Sequence, residues 1–529
     1  MLGLDVSHAG DLISMRPHSP DAQTLALCWG ASYSHAKRSL LLRAADLPAF
    51  ARAAIAGHCV LHPSATLASF LRAEAAKLRA QNDFVSRYPD LYPFQVDGVV
   101  FLRSGNRRLL FDEMGLGKTP QTLCAIEYGA STLVVCPKIL KGNWAAECTR
   151  WRPDLSPCVV NGRGSFRWPA VSELVIVNYD ILPEDFERLP PPGIHVIFDE
   201  AQALKSWKAK RTRAARKIIR RALKVSGHAA LLTGTPLMNK PAELWAMLQA
   251  LGMGSELYGS YPKFVQLFGG ETDALGQTIW DPSAVHPNAM DPIRPYALRR
   301  TRASVLPELP GKTYQTIQLG EPDIALPVMD DAPLDGIESL MTRMENDAGM
   351  MSDRRRLAEW KIPAMLSLVE QYESAGEPVV VFSAHRAPIE ALQQRQGWGA
   401  IMGGTGNREA AIEAFQSGAL HGLGCTIRAA GVGLTLTRAS HVLFVDREWT
   451  PPANLQAEDR VCRIGQTRGV VVKDLVADHP VDRSVTQLLI QKAQFASATV
   501  SQLDTGYTPR DRLAEAAELE SLADDIDAG

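Results

Sequence analysis

The chain concentrates its chemistry in a short run, Asp112-Glu113-Met114-Gly115-Leu116-Gly117-Lys118-Thr119, between an apolar stretch ending at Phe111 and a helix-compatible segment from Pro120 to Tyr128. Gly115 and Gly117 let successive backbone N–H groups face a phosphate chain at a helix N-terminus. Lys118 can then reach the β and γ phosphates, and the Thr119 hydroxyl can hold Mg²⁺. This is a Walker A loop with one departure, since Asp112 stands where the simplest pattern has Gly. Taken alone, the run also reads as a Gly-rich strand-to-helix turn with no ligand.

Further along, the apolar run His195-Val196-Ile197-Phe198 ends in Asp199-Glu200-Ala201-Gln202. A carboxylate at the C-terminal end of a buried strand can bind Mg²⁺, and its neighbour can orient and deprotonate an attacking water. Asp199 is therefore assigned to the metal and Glu200 to the base. A third group, Gln456, Arg460 and Arg463, recurs at i, i+4 and i+7. On a helix these residues share one face, and guanidinium groups delivered to a transferring phosphoryl group are worth roughly 10³ to 10⁵ in rate. A solvated basic helix face is the alternative. The expected cofactors are ATP and Mg²⁺, held between two halves of the chain.

The elements that must position these groups are short, β-branched apolar runs followed by polar or Gly-rich punctuation, as in buried parallel sheets. One set comprises Leu109 to Phe111, Thr132 to Cys136, Leu174 to Val177, His195 to Phe198 and Ala230 to Leu232. The other comprises Val379 to Phe382, Cys425 to Ile427, Val442 to Val445 and Val470 to Val472, with a helical stretch at Arg408 to Gln416. The fold class is α/β, with two separate parallel sheets. A Met-, Asp-, Glu- and Arg-rich stretch between the sets reads as mostly helical.

Residues 1–86 read as a small α/β accessory domain, with a strand at Thr24 to Trp29 and two helices capped by Asp46 and Ser64. Leu67, Phe70, Leu71, Ala75 and Leu78 form the apolar face of the second helix. The tail from Arg512 carries Glu515, Glu518, Glu520, Asp524, Asp525 and Asp527, and reads as a frayed acidic terminus.

With 529 residues the chain can hold two large domains and a smaller one. Its composition, 46% hydrophobic and 22% charged, is that of a globular protein. No apolar run approaches the roughly 18 residues a membrane span needs, and Met1-Leu2-Gly3-Leu4-Asp5-Val6 does not begin a signal peptide. The eight cysteines form no CxxC pair and no zinc-spaced cluster, which points to a reducing, intracellular setting. A net charge of −2 excludes coating nucleic acid by bulk charge, so any nucleic-acid contact must come from local patches.

In their order along the chain the motifs resemble helicase superfamily two, and within it the Swi/Snf-related DNA translocases. Tyr92-Pro93-Phe94-Gln95 resembles the adenine-reading segment, which implies Gln95 as an adenine contact. Asp112 to Thr119 resembles the family's own Walker A variant. Val135-Cys136-Pro137-Lys138 with Asn143-Trp144 resembles motif Ia, which implies that Lys138, Asn143 and Trp144 touch the DNA backbone. Leu232-Thr233-Gly234-Thr235-Pro236-Leu237 resembles motif III, with Thr233 and Thr235 coupling nucleotide state to lobe closure. Leu298-Arg299-Arg300-Thr301-Arg302 through Leu309-Pro310-Gly311-Lys312 resembles a block peculiar to the family. Ala430-Gly431-Val432-Gly433-Leu434 resembles motif V, placing Gly433 at the nucleotide, and Asp459 through Gln466 resembles motif VI.

The resemblance spans roughly residues 88–495 and implies RecA-like lobes at 87–312 and 376–505. Between them lies a helical linker at 313–375, and the acidic tail occupies 506–529. Arg354-Arg355-Arg356 through Lys361-Ile362-Pro363 is most similar to the annealing-helicase and fork-remodelling subgroup or to bare bacterial and phage members. Gln202 departs from the family's frequent His, and Thr435 from Asn.

From Lys205 to Lys224 there are ten Lys or Arg and no acid, with Ile218, Ile219, Ala222 and Leu223 able to form an apolar face. Arg216 and Arg220 are DNA-contact candidates that would track phosphates without reading sequence. A solvated outer face of lobe one is the other reading. The expected activity is an ATP-dependent double-stranded DNA translocase acting as a monomer, with DNA in duplex or forked form as the expected partner. A strand-separating helicase and an ATPase switch subunit of a larger complex remain the alternatives. The expected location is nucleoid-associated cytoplasm in a bacterial or phage setting, and the nucleus in a eukaryote.

Overall fold

The computed structural model describes residues 2–9, 12–17, 32–34, 39–43, 59–63, 67–183, 188–237, 239–272, 278–322, 348–406, 408–430, 435–463, 465–504, 507 and 510–528. The chain forms two units, one from residues 1–100 with 508–529 and the other from residues 101–507.

In the first unit, five strands, β1 (Leu2–Ala9), β2 (Leu12–Pro17), β3 (Ser32–Ser34), β4 (Ser39–Arg43) and β5 (Cys59–Pro63), form a sheet in the order β3-β4-β2-β1-β5. All its pairs are antiparallel except β1 with β5. Strand β2 buries Ile13 and Met15, the alternate positions that one face of a pleated strand presents. The expected strand at Thr24 to Trp29 and the caps Asp46 and Ser64 lie outside the described residues. The helix Leu67–Val85 buries Leu67, Ala68, Leu71, Ala75 and Leu78, and Phe70 is half-buried.

The acidic tail is not frayed, which corrects the sequence expectation. It forms a helix, Arg512–Ala528, packed along Leu67–Val85. Ala516, Leu519 and Ala523 recur at helical spacing and are buried. Glu520 and Asp524 pair with Arg79 (2.6 Å) and Arg72 (2.7 Å), so the acids mark a charged helix edge with partners.

The second unit holds two fully parallel sheets. Lobe one contains β6 (Arg107–Leu110), β7 (Thr132–Cys136), β8 (Ser156–Val159), β9 (Glu173–Asn178), β10 (His195–Asp199), β11 (His228–Leu232) and β14 (Ala297–Leu298). Their order is β14-β6-β11-β10-β7-β9-β8. Every residue of β7 is buried, because helices cover both faces and no alternation is required. A separate antiparallel hairpin joins β12 (Phe268–Thr272) to β13 (Thr278–Val285).

Lobe two contains β15 (Lys312–Gln318), β16 (Val379–Ser383), β17 (Trp398–Ile401), β18 (Gly422–Thr426), β19 (His441–Phe444) and β20 (Val470–Val476), in the order β15-β20-β19-β16-β18-β17. β15 pairs along its whole length with β20, so the lobe-two sheet begins at Lys312, expected to end lobe one, and takes in residues 313–318, expected to be linker. The helix Ile362–Ala375 likewise packs Met365, Val369 and Tyr372 into the lobe-two core. At the other boundary, Val500 and Leu503, expected in lobe two, belong to the lobe-one core. Gln502 holds them there through Met290 N (3.1 Å) and His286 O (3.0 Å). Among the described residues no helix is long and apolar enough to cross a membrane.

Candidate active site

The strands of lobe one deliver the site at their C-terminal ends, where parallel sheets place ligands. After β6 the chain turns through Gly115 (φ 83°) and Gly117 (φ 72°), both in the left-handed region, into the helix Lys118–Ala125. Side chains seldom tolerate that conformation, which explains glycine at both positions. Lys118 Nζ donates to the carbonyls of Asp112 (2.8 Å) and Glu113 (3.3 Å) and lies at the mouth of the loop. Thr119 is half-buried on the first turn. A Cβ built on Gly234 would come within 2.8 Å of Met114 Cγ and 3.4 Å of Lys118 Nζ, so motif III lies against the phosphate loop. Thr233 is buried there, and its Oγ1 accepts from Thr235 N at 3.0 Å.

Asp112 is fully buried. Its Oδ1 accepts from Arg300 Nε at 3.0 Å, and its Oδ2 from Gln121 Nε2 at 3.2 Å. Arg300 Nη2 also reaches Gln121 Oε1 at 2.8 Å. The departure from the simplest Walker pattern is therefore a buried staple tying the loop to Arg300, a role that local sequence spacing does not signal.

Asp199 ends β10 with its Oδ2 accepting from Trp144 Nε1 (2.8 Å) and its Oδ1 from Glu200 N (2.9 Å). Burial and the neighbouring Glu200 push the Asp199 carboxyl up to about 6, against the lowering effect of the Trp144 bond. Glu200 adopts φ 51°, an uncommon conformation for a residue with a side chain, and one associated with functional sites. Its Oε2 accepts from Gln202 Nε2 (2.7 Å) and its Oε1 from Gln456 Nε2 (3.4 Å), which comes from lobe two.

Two expectations are corrected here. Trp144 is fully buried and braces Asp199, so it cannot lie on the DNA backbone; Lys138 and Asn143 are exposed and stay candidates. Gln456, Arg460 and Arg463 do not share a helical face, because the helix Pro451–Glu458 ends before the arginines. Gln466 Nε2 donates to the carbonyls of Thr437 (3.0 Å), Ala439 (2.7 Å) and Val461 (3.2 Å), bending the chain into a loop. The loop still brings the group to the cleft. Burial lowers Arg460 to about 10, with Arg463 adding repulsion and Glu200 attraction. Arg463 Nη1 donates to Thr435 Oγ1 at 3.1 Å, which gives the departure at Thr435 a positioning role.

Gln95 belongs to the first unit, where it is buried and accepts from Tyr92 N at 3.0 Å. Gly433 lies outside the described residues. The helix Lys210–Lys224 buries Ile218, Ile219 and Ala222 and exposes Arg216 and Arg220. Its N-terminal residues Lys210 and Arg211 line a cleft of about 390 Å³ with Tyr179, Asp180 and Pro183. Tyr179 in turn donates its hydroxyl to Asp199 O at 2.8 Å.

Sequence reasoning missed a network behind the arginine loop. Glu458 and Asp459 accept from Lys312 Nζ at 2.9 and 2.8 Å, Asp459 from Arg302 at 2.7 Å, and Glu458 from Arg447 at 2.8 Å. Although burial opposes it, Lys312 and Arg447 hold Glu458 below the usual carboxylate range.

The residues fit a nucleoside triphosphate: open glycines, a lysine at the loop mouth and paired carboxylates stand at the C-terminal ends of strands in one sheet. Among the described residues no group of three or more His, Cys, Asp or Glu forms a metal cage. A divalent ion here would be shared with phosphates, as Mg²⁺ usually is.

Fold and site together define a two-lobed, parallel-sheet protein with a glycine-rich phosphate-type loop and paired carboxylates at the strand ends of its first lobe. The SNF2-related domain model matches residues 66–322 and the helicase conserved C-terminal domain model residues 360–465, so the chain belongs to the SNF2-related family. It is 32% identical to the cattle SWI/SNF-related matrix-associated actin-dependent regulator of chromatin subfamily A-like protein 1, over 79% of this chain and 45% of that one. It is 29% identical to the human DNA annealing helicase and endonuclease ZRANB3, over 84% of this chain and 42% of that one. The chain thus spans less than half the length of either relative. A solved Sulfolobus solfataricus SWI2/SNF2 ATPase core in complex with dsDNA aligns over 79% of this chain and 97% of that one, at 22% identity and TM-score 0.36.

Proposed function

We propose that the protein hydrolyses ATP with Mg²⁺ between its two lobes and uses the cycle to translocate along double-stranded DNA, remodelling forks or re-annealing strands. The observation that carries this reading is Glu200. It stands in a rare backbone conformation beside Asp199, whose carboxylate feels Lys118 of the phosphate loop, and is met by Gln456 from the opposite lobe. Asp199 and Thr119 would hold the metal, Lys118 the phosphates, and Glu200 would take the proton of the attacking water. Arg460 and Arg463 would then stabilise the transferring phosphoryl charge. Both halves of the site come from one chain, which supports action as a monomer. The relatives named for annealing helicase activity support a forked or partly unpaired substrate.

The test is ATP hydrolysis by the purified chain with no nucleic acid, single-stranded, duplex and forked DNA, and RNA, beside Lys118→Ala and Glu200→Gln. Stimulation by duplex or forked DNA that both variants abolish is expected. A well-folded chain that no nucleic acid stimulates would sink the stand-alone motor and favour a switch subunit. Separation of a forked duplex into single strands would favour the strand-separating helicase.

A further inference from the structure

We propose that Arg302 is a positioning residue, a strut that transmits the state of the phosphate loop to the arginine loop of lobe two. The proposal rests on the ATPase reading above and adds a residue that neither motif contains.

Lobe one fixes the backbone of Arg302. Its N–H donates to Glu113 Oε2 at 2.6 Å, and the preceding Arg300 is held by the buried Asp112. Glu113 N donates to Arg300 O at 2.9 Å, and a reciprocal cap between Thr301 and Ser304 sets the first turn. From that anchor the side chain crosses to lobe two. Nη2 lies 2.7 Å from Asp459 Oδ1, and Nη1 donates to Cys462 O at 2.9 Å. Nε remains 3.7 Å from Glu113 Oε2.

Asp459 and Cys462 flank Arg460, and Cys462 immediately precedes Arg463. Whatever moves those two anchor points moves both arginines. At the other end, Glu113 offers its carbonyl to Lys118 Nζ, so the residue that Arg302 grips also touches the phosphate-binding lysine. Asp459 Oδ1 accepts at once from Arg302 of lobe one and Lys312 of lobe two, which makes it a carboxylate shared between lobes. The side chains of Arg302 and Asp459 are 15% and 6% exposed, so solvent screens the link little.

The geometry requires arginine. Two diverging N–H groups serve a carboxylate and a carbonyl while Nε faces a second acid. A lysine has a single nitrogen and cannot span the three acceptors.

The experiment compares the full chain with Arg302→Gln, Arg302→Lys, Asp459→Asn and the Arg302→Gln/Asp459→Asn double variant, with thermal melts as a folding control. The expected result is a fall in kcat of at least tenfold with duplex DNA, with KM for ATP moving less than threefold. The double variant should be no slower than the slower single. A dye pair with one label on each lobe should change its energy transfer on adding a non-hydrolysable ATP analogue in the wild type and lose most of that change in Arg302→Gln. A merely structural residue would move the melt and leave this response intact.

A kcat within threefold of wild type, effects that multiply independently, or an undiminished energy-transfer response would each overturn the proposal. If Arg302→Gln does not fold, Arg302→Lys carries the same readings. If the wild type lacks DNA-stimulated hydrolysis, the functional reading fails and the energy-transfer comparison alone decides the strut.

Discussion

The phosphate loop of lobe one is held from within its own lobe, by the Arg300–Asp112–Gln121 cluster and by Gly234 lying close to Lys118. The loop from Asp459 to Arg463 is held from several directions at once: Lys312 and Gln466 from lobe two, and Arg302 from lobe one. A loop fixed by its own sheet keeps its shape whatever the other lobe does. A loop whose anchors are shared between lobes changes place when their spacing changes. The first arrangement suits binding, and the second suits a step that must wait for closure.

The largest expected effect separates these two roles. Replacing Arg460 or Arg463 by Ala should slow DNA-stimulated hydrolysis by roughly 10³-fold, the scale of removing an arginine that serves a phosphoryl transition state. Binding of a fluorescent ATP analogue should stay within a few-fold, because the phosphate loop is complete without them. Weak binding at unchanged turnover would reverse the assignment.

Asp112→Gly, which restores the simplest Walker pattern, tests the lobe-one side. It leaves Arg300 buried with its carboxylate partner gone, and breaking a buried pair in this way costs about 3 to 5 kcal/mol. Chemical denaturation should show a loss of that order. A variant as stable as wild type would mean that Asp112 is not the staple.

The same contrast explains what the sequence could reveal. Gly115, Gly117, Lys118, Asp199 and Glu200 are readable because each is set by neighbours along its own strand and turn, and local spacing preserves such relations. The strand cores are readable for a similar reason: a run such as Val379 to Phe382 is buried on both faces and shows no alternation. Arg302, Lys312 and Arg447 form their pairs across more than a hundred residues or through a bend that no periodicity encodes. Trp144 misled because its resemblance to a DNA-contacting block fixes its position in the chain and says nothing of which way its ring points. The regular i, i+4, i+7 spacing of Gln456, Arg460 and Arg463 misled because it presumed a helix that Gln466 ends. The acidic tail was misread because charge count hid the three apolar positions that dock it.

Asp199→Asn should make the nucleotide-free protein more stable at neutral pH while abolishing hydrolysis. The Asp199 carboxyl is raised from 3.8 to about 6 on folding, so the native state binds the extra proton between those values. Stability therefore falls as pH rises through that window, and the penalty is fully present above it. Removing the charge lifts that penalty at the cost of one of the two hydrogen bonds the carboxylate accepts, so the variant should melt higher than wild type at pH 7.5. The gain should vanish near pH 3, below both values, where both states bind the proton. Melting curves at the two pH values check this, and a variant less stable than wild type at pH 7.5 would show that the charge at Asp199 is compensated.

The smallest effect concerns the DNA side, where the exposed Arg216 and Arg220 contrast with the buried Trp144. Each phosphate contact releases counterions and contributes about 0.9 to the slope of log affinity against log salt. Arg216→Ala with Arg220→Ala should flatten that slope by up to about twice this amount, with a few-fold loss of affinity at low salt. Trp144→Phe removes the N–H donor to Asp199 together with part of a buried ring, and should leave the slope untouched while weakening Mg²⁺-dependent turnover. If the arginine pair leaves the slope unchanged, the basic helix is a solvated outer face and Lys138 with Asn143 become the contacts to test next. If Trp144→Phe flattens it, the indole reaches DNA in a conformation other than the one described.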